Sequence, residues 1–91
     1  MKIQTGIYRH YKGARYLVIG LARHSETEEP FVVYVPLDKR DPKKRSEHQR
    51  LCVRPLKGPA GFTNVVNMPK YNWHGPRFKL EVPINFGVIP E

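Results

Sequence analysis

Tyr8, Arg9, His10, Tyr11 and Lys12 interleave aromatic and basic side chains over five consecutive positions. On a β scaffold such a pattern can stack bases and hold phosphates. Alternation along a strand sends Tyr8 and His10 to one face and Arg9 and Tyr11 to the other, so only half of the set can line one surface. The same five residues also read as a tyrosine-framed core with two surface cations. A second constellation is the loop ARHSETEEP, where Glu26, Glu28 and Glu29 supply three of the chain's eight acidic residues. His24 beside these carboxylates could act as a pH-tuned base or as part of a metal-binding pair, because a nearby carboxylate stabilises imidazolium. The structural alternative is that Ser25 or Thr27 caps a tight turn while the glutamates are solvated or pair with arginines. Arg54, just before Pro55, poses the same choice between clamping an anion and bridging to the Glu26–Glu29 loop.

Other chemistries lack their signatures. The histidines stand at positions 10, 24, 48 and 74, with no HxH or HxxxH spacing, so neither a metal nor a cofactor is expected. There is no glycine-rich phosphate loop, no GxSxG elbow and no HxE with a CxxC pair. Cys52 is the sole cysteine, which excludes a disulfide or a multi-cysteine zinc site within the chain. In its apolar setting, Leu51 to Val53, it reads as a small packed side chain. The net charge of +8 attracts phosphate polymers at long range, although much of the excess lies between Lys39 and Arg50.

The elements that must position these residues read as strands, since apolar side chains recur at period two or in short blocks. Gly6–Tyr11 and Arg15–Arg23 flank Lys12-Gly13-Ala14, a hairpin turn in which glycine supplies a positive φ. In the second segment Tyr16 and Val18 point one way and Leu17, Ile19 and Leu21 the other. Both faces are therefore apolar, as in a central strand, and Gly20 marks a bend. Phe31–Leu37 places Phe31, Val33, Val35 and Leu37 on one face and Val32, Tyr34 and Pro36 on the other, with Pro36 at a strand end or edge. Asp38–Gln49 is a polar connection expected to be mobile. Leu51–Leu56 follows, with Leu51 and Val53 inward and Arg54 outward. Lys57–Gly75 reads as a long irregular loop with a helical turn around Phe62 to Asn67, packed through Phe62, Val65, Tyr71 and Trp73. Arg77–Val82 then sends Phe78, Leu80 and Val82 inward and Arg77, Lys79 and Glu81 outward.

At 91 residues, with five tyrosines, four phenylalanines and one tryptophan, the chain suits one small core. The expectation is mainly β: a small curled sheet or SH3-like barrel of about five strands, with one domain over residues 1–82 and a tail over 83–91. No apolar run reaches the roughly 20 residues that span a bilayer, and the start has no secretory signal core, so a cytoplasmic location is expected.

The words "GIYRHYKGARYLVIGLARHSETEEPFVVYVPL", "LCVRPL" and "PRF" resemble the small bacterial and phage-borne family catalogued as domain of unknown function family 1653. The matching positions are Gly6, Tyr8, His10, Tyr11, Lys12 and Gly13, then Ala22, His24, Ser25, Glu26 and Thr27, then Val33 and Tyr34, Arg54 and Pro55, and Pro76, Arg77 and Phe78. Asp38–Gln49 and Leu56–Gly75 depart from the pattern as expanded segments. The resemblance implies a compact, mostly β, cytoplasmic domain and carries no activity. It also favours the three polar words, YRHYKG, RHSET and VRP, meeting around one end of the barrel.

These readings lead to a binding module in which Tyr8, His10, Lys12, His24, Glu26, Thr27 and Arg54 accept nucleic acid or a nucleotide-like anion. The alternatives are a small hydrolase or transferase with His24 and Glu26 sharing acid–base work, and a protein-interaction module using residues 83–91 with the Trp73 loop.

Overall fold

The computed structural model describes residues 3–37 and 51–86. The connection Asp38–Gln49 and the last five residues of the tail lie outside them. Seven strands form two antiparallel sheets: β1 (Gly6–His10), β2 (Arg15–Arg23), β3 (Pro30–Pro36), β4 (Cys52–Pro55), β5 (Val65–Met68), β6 (Trp73–Pro76) and β7 (Phe78–Pro83). Five of them make one sheet in the order β4-β3-β2-β1-β7, and β5 pairs with β6 separately. The large sheet is curled and open, not a closed barrel. Its two edge strands approach closely enough that the Arg54 guanidinium on β4 lies 5.5 Å from the centre of the Phe78 ring on β7.

The β1–β2 turn forms as its glycine predicts. Gly13 adopts a φ of 102°, and its N–H donates to the His10 carbonyl at 2.8 Å while the His10 N–H donates to Ala14 at the same distance. Gly6 has a different reason to be glycine. A β-carbon there would sit 2.1 Å from the Val82 carbonyl oxygen, so the bare backbone is what lets β7 lie against β1.

A bulge in β2 shifts its facing. Val18 opposes Tyr34 and Gly20 opposes Val33, leaving Ile19 as the extra residue. Leu21 is thereby returned to the face of Tyr16 and Val18, where it packs against the core, whereas uninterrupted alternation places it with Leu17. The core consists of Tyr8, Val18, Val32, Tyr34, Leu56, Phe62 and Phe78. Its centre is the stacked pair Phe62 and Phe78, 4.4 Å apart, with Tyr8 edge-on to Phe62 at 5.0 Å.

Four local expectations are corrected. Leu51 and Val53 are 66% and 59% exposed rather than inward, because Cys52 and Arg54 take the core side of β4. On β7 only Phe78 is buried, and Leu80 and Val82 are exposed. The Phe62–Asn67 region is not helical: Phe62 and Thr63 donate their amides back to Pro55 and Leu56, and the chain then forms the β5–β6 hairpin, whose two strands are joined through a 3-10 turn at Pro69–Tyr71. Of the four residues expected to anchor this region, Phe62 is buried while Val65 is 63% exposed. The sheet also runs past residue 82. Pro83 opposes Gly6, the Ile84 N–H donates to Thr5, and the Gln4 side chain donates to Asn85.

Candidate functional site

The β1–β2 turn delivers His10 and Lys12 to one end of the core face. The His10 ring sits edge-on to Phe78 at 4.9 Å and to Tyr16 at 6.5 Å, and against Tyr11 at 4.2 Å. Its Nδ1 accepts the Lys12 backbone N–H at 3.1 Å, which leaves Nε2 to carry the proton of a neutral ring. Burial is the largest cause pushing the His10 pKa down to about 4, followed by the positive charges of Arg54, Arg77 and Lys12. At neutral pH the imidazole is therefore uncharged.

Three cations meet around this ring. Arg54 reaches from β4 across the core face, lying over Phe78 and donating from one terminal nitrogen to the Ala60 carbonyl at 2.9 Å. Arg77, between β6 and β7, lies over Tyr11 at 5.6 Å. The Nε atoms of Arg54 and Arg77 are both buried without a hydrogen-bond partner. The ion pairs among the described residues join Arg9 and Arg15 to Glu81 and Arg23 to Glu28, so Lys12, Arg54 and Arg77 have no carboxylate partner there. Aromatic rings extend the surface: Tyr71 lies edge-on to Tyr11 at 5.8 Å, and the Lys79 ammonium stands 4.3 Å over the Trp73 ring. Aromatic faces held beside unpaired guanidinium and ammonium groups can stack a base and hold its phosphate.

The residues expected at a site separate into three places. His10, Lys12 and Arg54 come together. Tyr8 belongs to the core at 7% exposure, with its hydroxyl donating to the Gln4 carbonyl at 2.6 Å, and burial pushes its pKa up. His24, Glu26 and Thr27 occupy the exposed β2–β3 loop at the other end of β2, about 25 Å along the strand from the hairpin turn. His24 Nδ1 accepts the backbone N–H groups of Glu26 and Thr27, each at 3.2 Å, and Thr27 Oγ1 accepts that of Glu29. The imidazole thus caps the turn, alongside Thr27, and the Glu26 carboxylate makes no contact with it. The glutamates do not fold back onto Arg54: Glu28 pairs with Arg23 at 3.7 Å. Shallow grooves also lie at this loop end, one of about 500 Å³ lined by Leu21, Arg23, Glu28 and Pro30, another of about 240 Å³ lined by His24, Phe31 and Val53.

Strand alternation misses Arg77, sending it outward with Lys79 and Glu81. It precedes β7, so that parity does not apply to it, and its place between Pro76 and Phe78 in a matching word was the available signal.

The model of the family described as "Protein of unknown function (DUF1653)" matches residues 6–80. A search of curated proteins found no match. Among solved structures, the chain is similar to the crystal structure of a protein of the same family from Bordetella bronchiseptica, with 34% identity and a TM-score of 0.63 over 98% of this chain and 95% of that one. A family model that runs from the hairpin through both polar loops into the closing strand, together with a structural likeness over nearly the whole chain, shows that this chain belongs to domain of unknown function family 1653.

Proposed function

We propose that the protein is a binding module for single-stranded nucleic acid, with the face formed by His10, Tyr11, Lys12, Arg54 and Arg77 as its contact surface. The observation that carries this reading is the convergence of three cations on a neutral, half-buried histidine with no carboxylate among the described residues to neutralise them. Gathering like charges is unfavourable unless an anion completes the cluster. The surrounding rings favour a ligand with flat apolar groups next to its charge, and unpaired bases offer such faces where a duplex hides them. The basic excess of the chain is consistent with it.

The hydrolase reading has less support. His24 Nδ1 is occupied by two amides and the Glu26 carboxylate is not hydrogen-bonded to the ring, so no base-and-orienter pair exists in that loop. A docking role for residues 83–91 is weakened where residues 83–85 already run along β1 and the segment before it.

The test is an amide NMR titration with short single-stranded RNA, single-stranded DNA and mononucleotides, at low and then moderate salt. Saturable shifts at Tyr11–Gly13, Arg54 and Arg77, weakening with salt, are expected. Absence of binding at low salt, or shifts confined to Lys39–Arg50, would overturn the proposal.

A further inference from the structure

The outer face of the large sheet is apolar where an antiparallel sheet usually turns polar side chains to water. Opposite the core, Val82, Ile7, Leu17 and Val35 form a row in register across four strands. Ile19 at the bulge and Val53 on β4 extend it, and Ile19, Val53 and Val82 are 41%, 59% and 47% exposed. Of the described elements, β6 meets this face at its turn end, where the Lys79 ammonium lies over the Trp73 ring, while Ile19, Val53 and Val82 stay exposed. Contiguous apolar surface of this kind marks an interaction site.

The two ends of the face differ in charge. At the turn end, Arg9 and Arg15 both pair with Glu81, and Lys79 lies beside Arg9 in register. At the opposite end, the loop after β2 sets Glu26, Glu28 and Glu29 against Arg23. Among the described residues, cations outnumber carboxylates at the first end and carboxylates outnumber cations at the second.

We propose that this face packs against the same face of a second copy of the chain. The two-fold axis lies between the sheets and perpendicular to the strands. That axis reverses strand direction, so the arginine end of each copy meets the glutamate loop of the other, and two matched charge contacts flank an apolar centre. Any other partner would need this charge polarity by coincidence, whereas a second copy has it by construction. The chain's own remaining segments offer little cover: DKRDPKKRSEHQR has no aliphatic side chain, and the last five residues have two, Val88 and Ile89. Five strands about 4.8 Å apart, with six residues each at about 3.3 Å, project on the order of 400 Å² before side-chain relief. Relief carries this toward the roughly 600 Å² per partner of small reversible interfaces. The cations around His10 lie on the core side and are left free by this arrangement.

The experiment is sedimentation equilibrium of the full chain over about 1–500 μM, a range chosen to bracket a reversible interface. The wild-type chain is expected to dimerise reversibly. Ile19→Lys together with Val53→Lys should be monomeric throughout, with an amide NMR spectrum confirming the native fold. Glu26→Lys together with Glu29→Lys, on an exposed loop, should weaken the dimer at least about tenfold at low salt. A wild-type chain that stays monomeric would overturn the proposal and leave the face to a different partner. A dimer unaffected by the Ile19 and Val53 changes, or by the loop reversal, would overturn it equally.

Discussion

His10 and His24 are held by the same local device and end in opposite surroundings. Each sits just before a turn, and each uses Nδ1 to accept the backbone N–H of the residue two positions on. His10 is then packed among Phe78, Tyr16 and Tyr11 with three cations around it. His24 stands on an exposed loop with three glutamates, its ring 6.1 Å from Phe31. The difference shows that a histidine followed by a polar turn is first a capping residue, and that its chemistry comes from what the rest of the fold brings to its other side.

The sharpest contrast between the two ends is stability. Phe78 supports His10 and Arg54 as well as the core, so Phe78→Ala should cost about 3–5 kcal/mol in urea unfolding. For a domain of this size that loss is a large share of the total stability. Loop substitutions approaching that loss would break the distinction between a core-built end and a surface-built one.

Ligand binding offers the second contrast. Arg54→Gln together with Arg77→Gln should weaken affinity for a short single-stranded oligonucleotide at low salt by about tenfold or more, since hydrogen bonds to charged groups contribute about 1.5–3 kcal/mol. Glu26→Gln should leave that affinity unchanged. Equal effects from the two variants, measured by fluorescence anisotropy, would erase the assignment of the anion to the His10 end.

His24→Ala removes the acceptor of two turn amides, both of which can turn to water, so a loss of about 0.5–1 kcal/mol in thermal unfolding is expected. Oligonucleotide binding should not respond. A smaller effect still concerns Glu28, a non-glycine residue at a φ of 63°. Glu28→Gly should be neutral or stabilising by a few tenths of a kcal/mol, because relief of the left-handed conformation is offset by unfolded-state entropy and its exposed pair with Arg23 contributes little.

The gentlest perturbation is pH. The His10 pKa is about 4 in the folded chain, against an ordinary imidazole value of 6.5, so between these values the unfolded chain binds the proton first. The stability due to the neutral ring is therefore full above about pH 6.5 and is lost as pH falls toward 4, by an amount that partial exposure reduces. His10→Gln should flatten that part of the stability profile in urea titrations. A bound polyanion should move the His10 titration upward, which imidazole NMR can follow.

Much of the architecture was legible because its causes are local. Alternating apolar residues and the glycine at position 13 disclosed the β1–β2 hairpin, and Pro36 ends β3 as expected. The β5–β6 hairpin was not legible: Pro69 and Gly75 interrupt it, and its apolar positions, such as Val65, are too exposed to betray a face. The outward facing of Leu51, Val53 and Val82 also escaped reading, because an apolar side chain does not say which of two apolar faces it joins. At the site, His10, Lys12 and Arg54 were named and do assemble, while Tyr8 and the His24 loop lie elsewhere.

The sequence by itself determined the β class, the turn chemistry of both loops and the excess of positive charge, all of which follow from residue types and short spacings. Only the tertiary structure decided which polar residues meet. Arg54 and Arg77 are 23 positions apart and belong to different parts of the chain, and the curl of the sheet carries both to His10. The bulge at Ile19 likewise decided which face Leu21 joins. Strand pairing, register and curvature are properties of many side chains packing at once, and no local spacing encodes them.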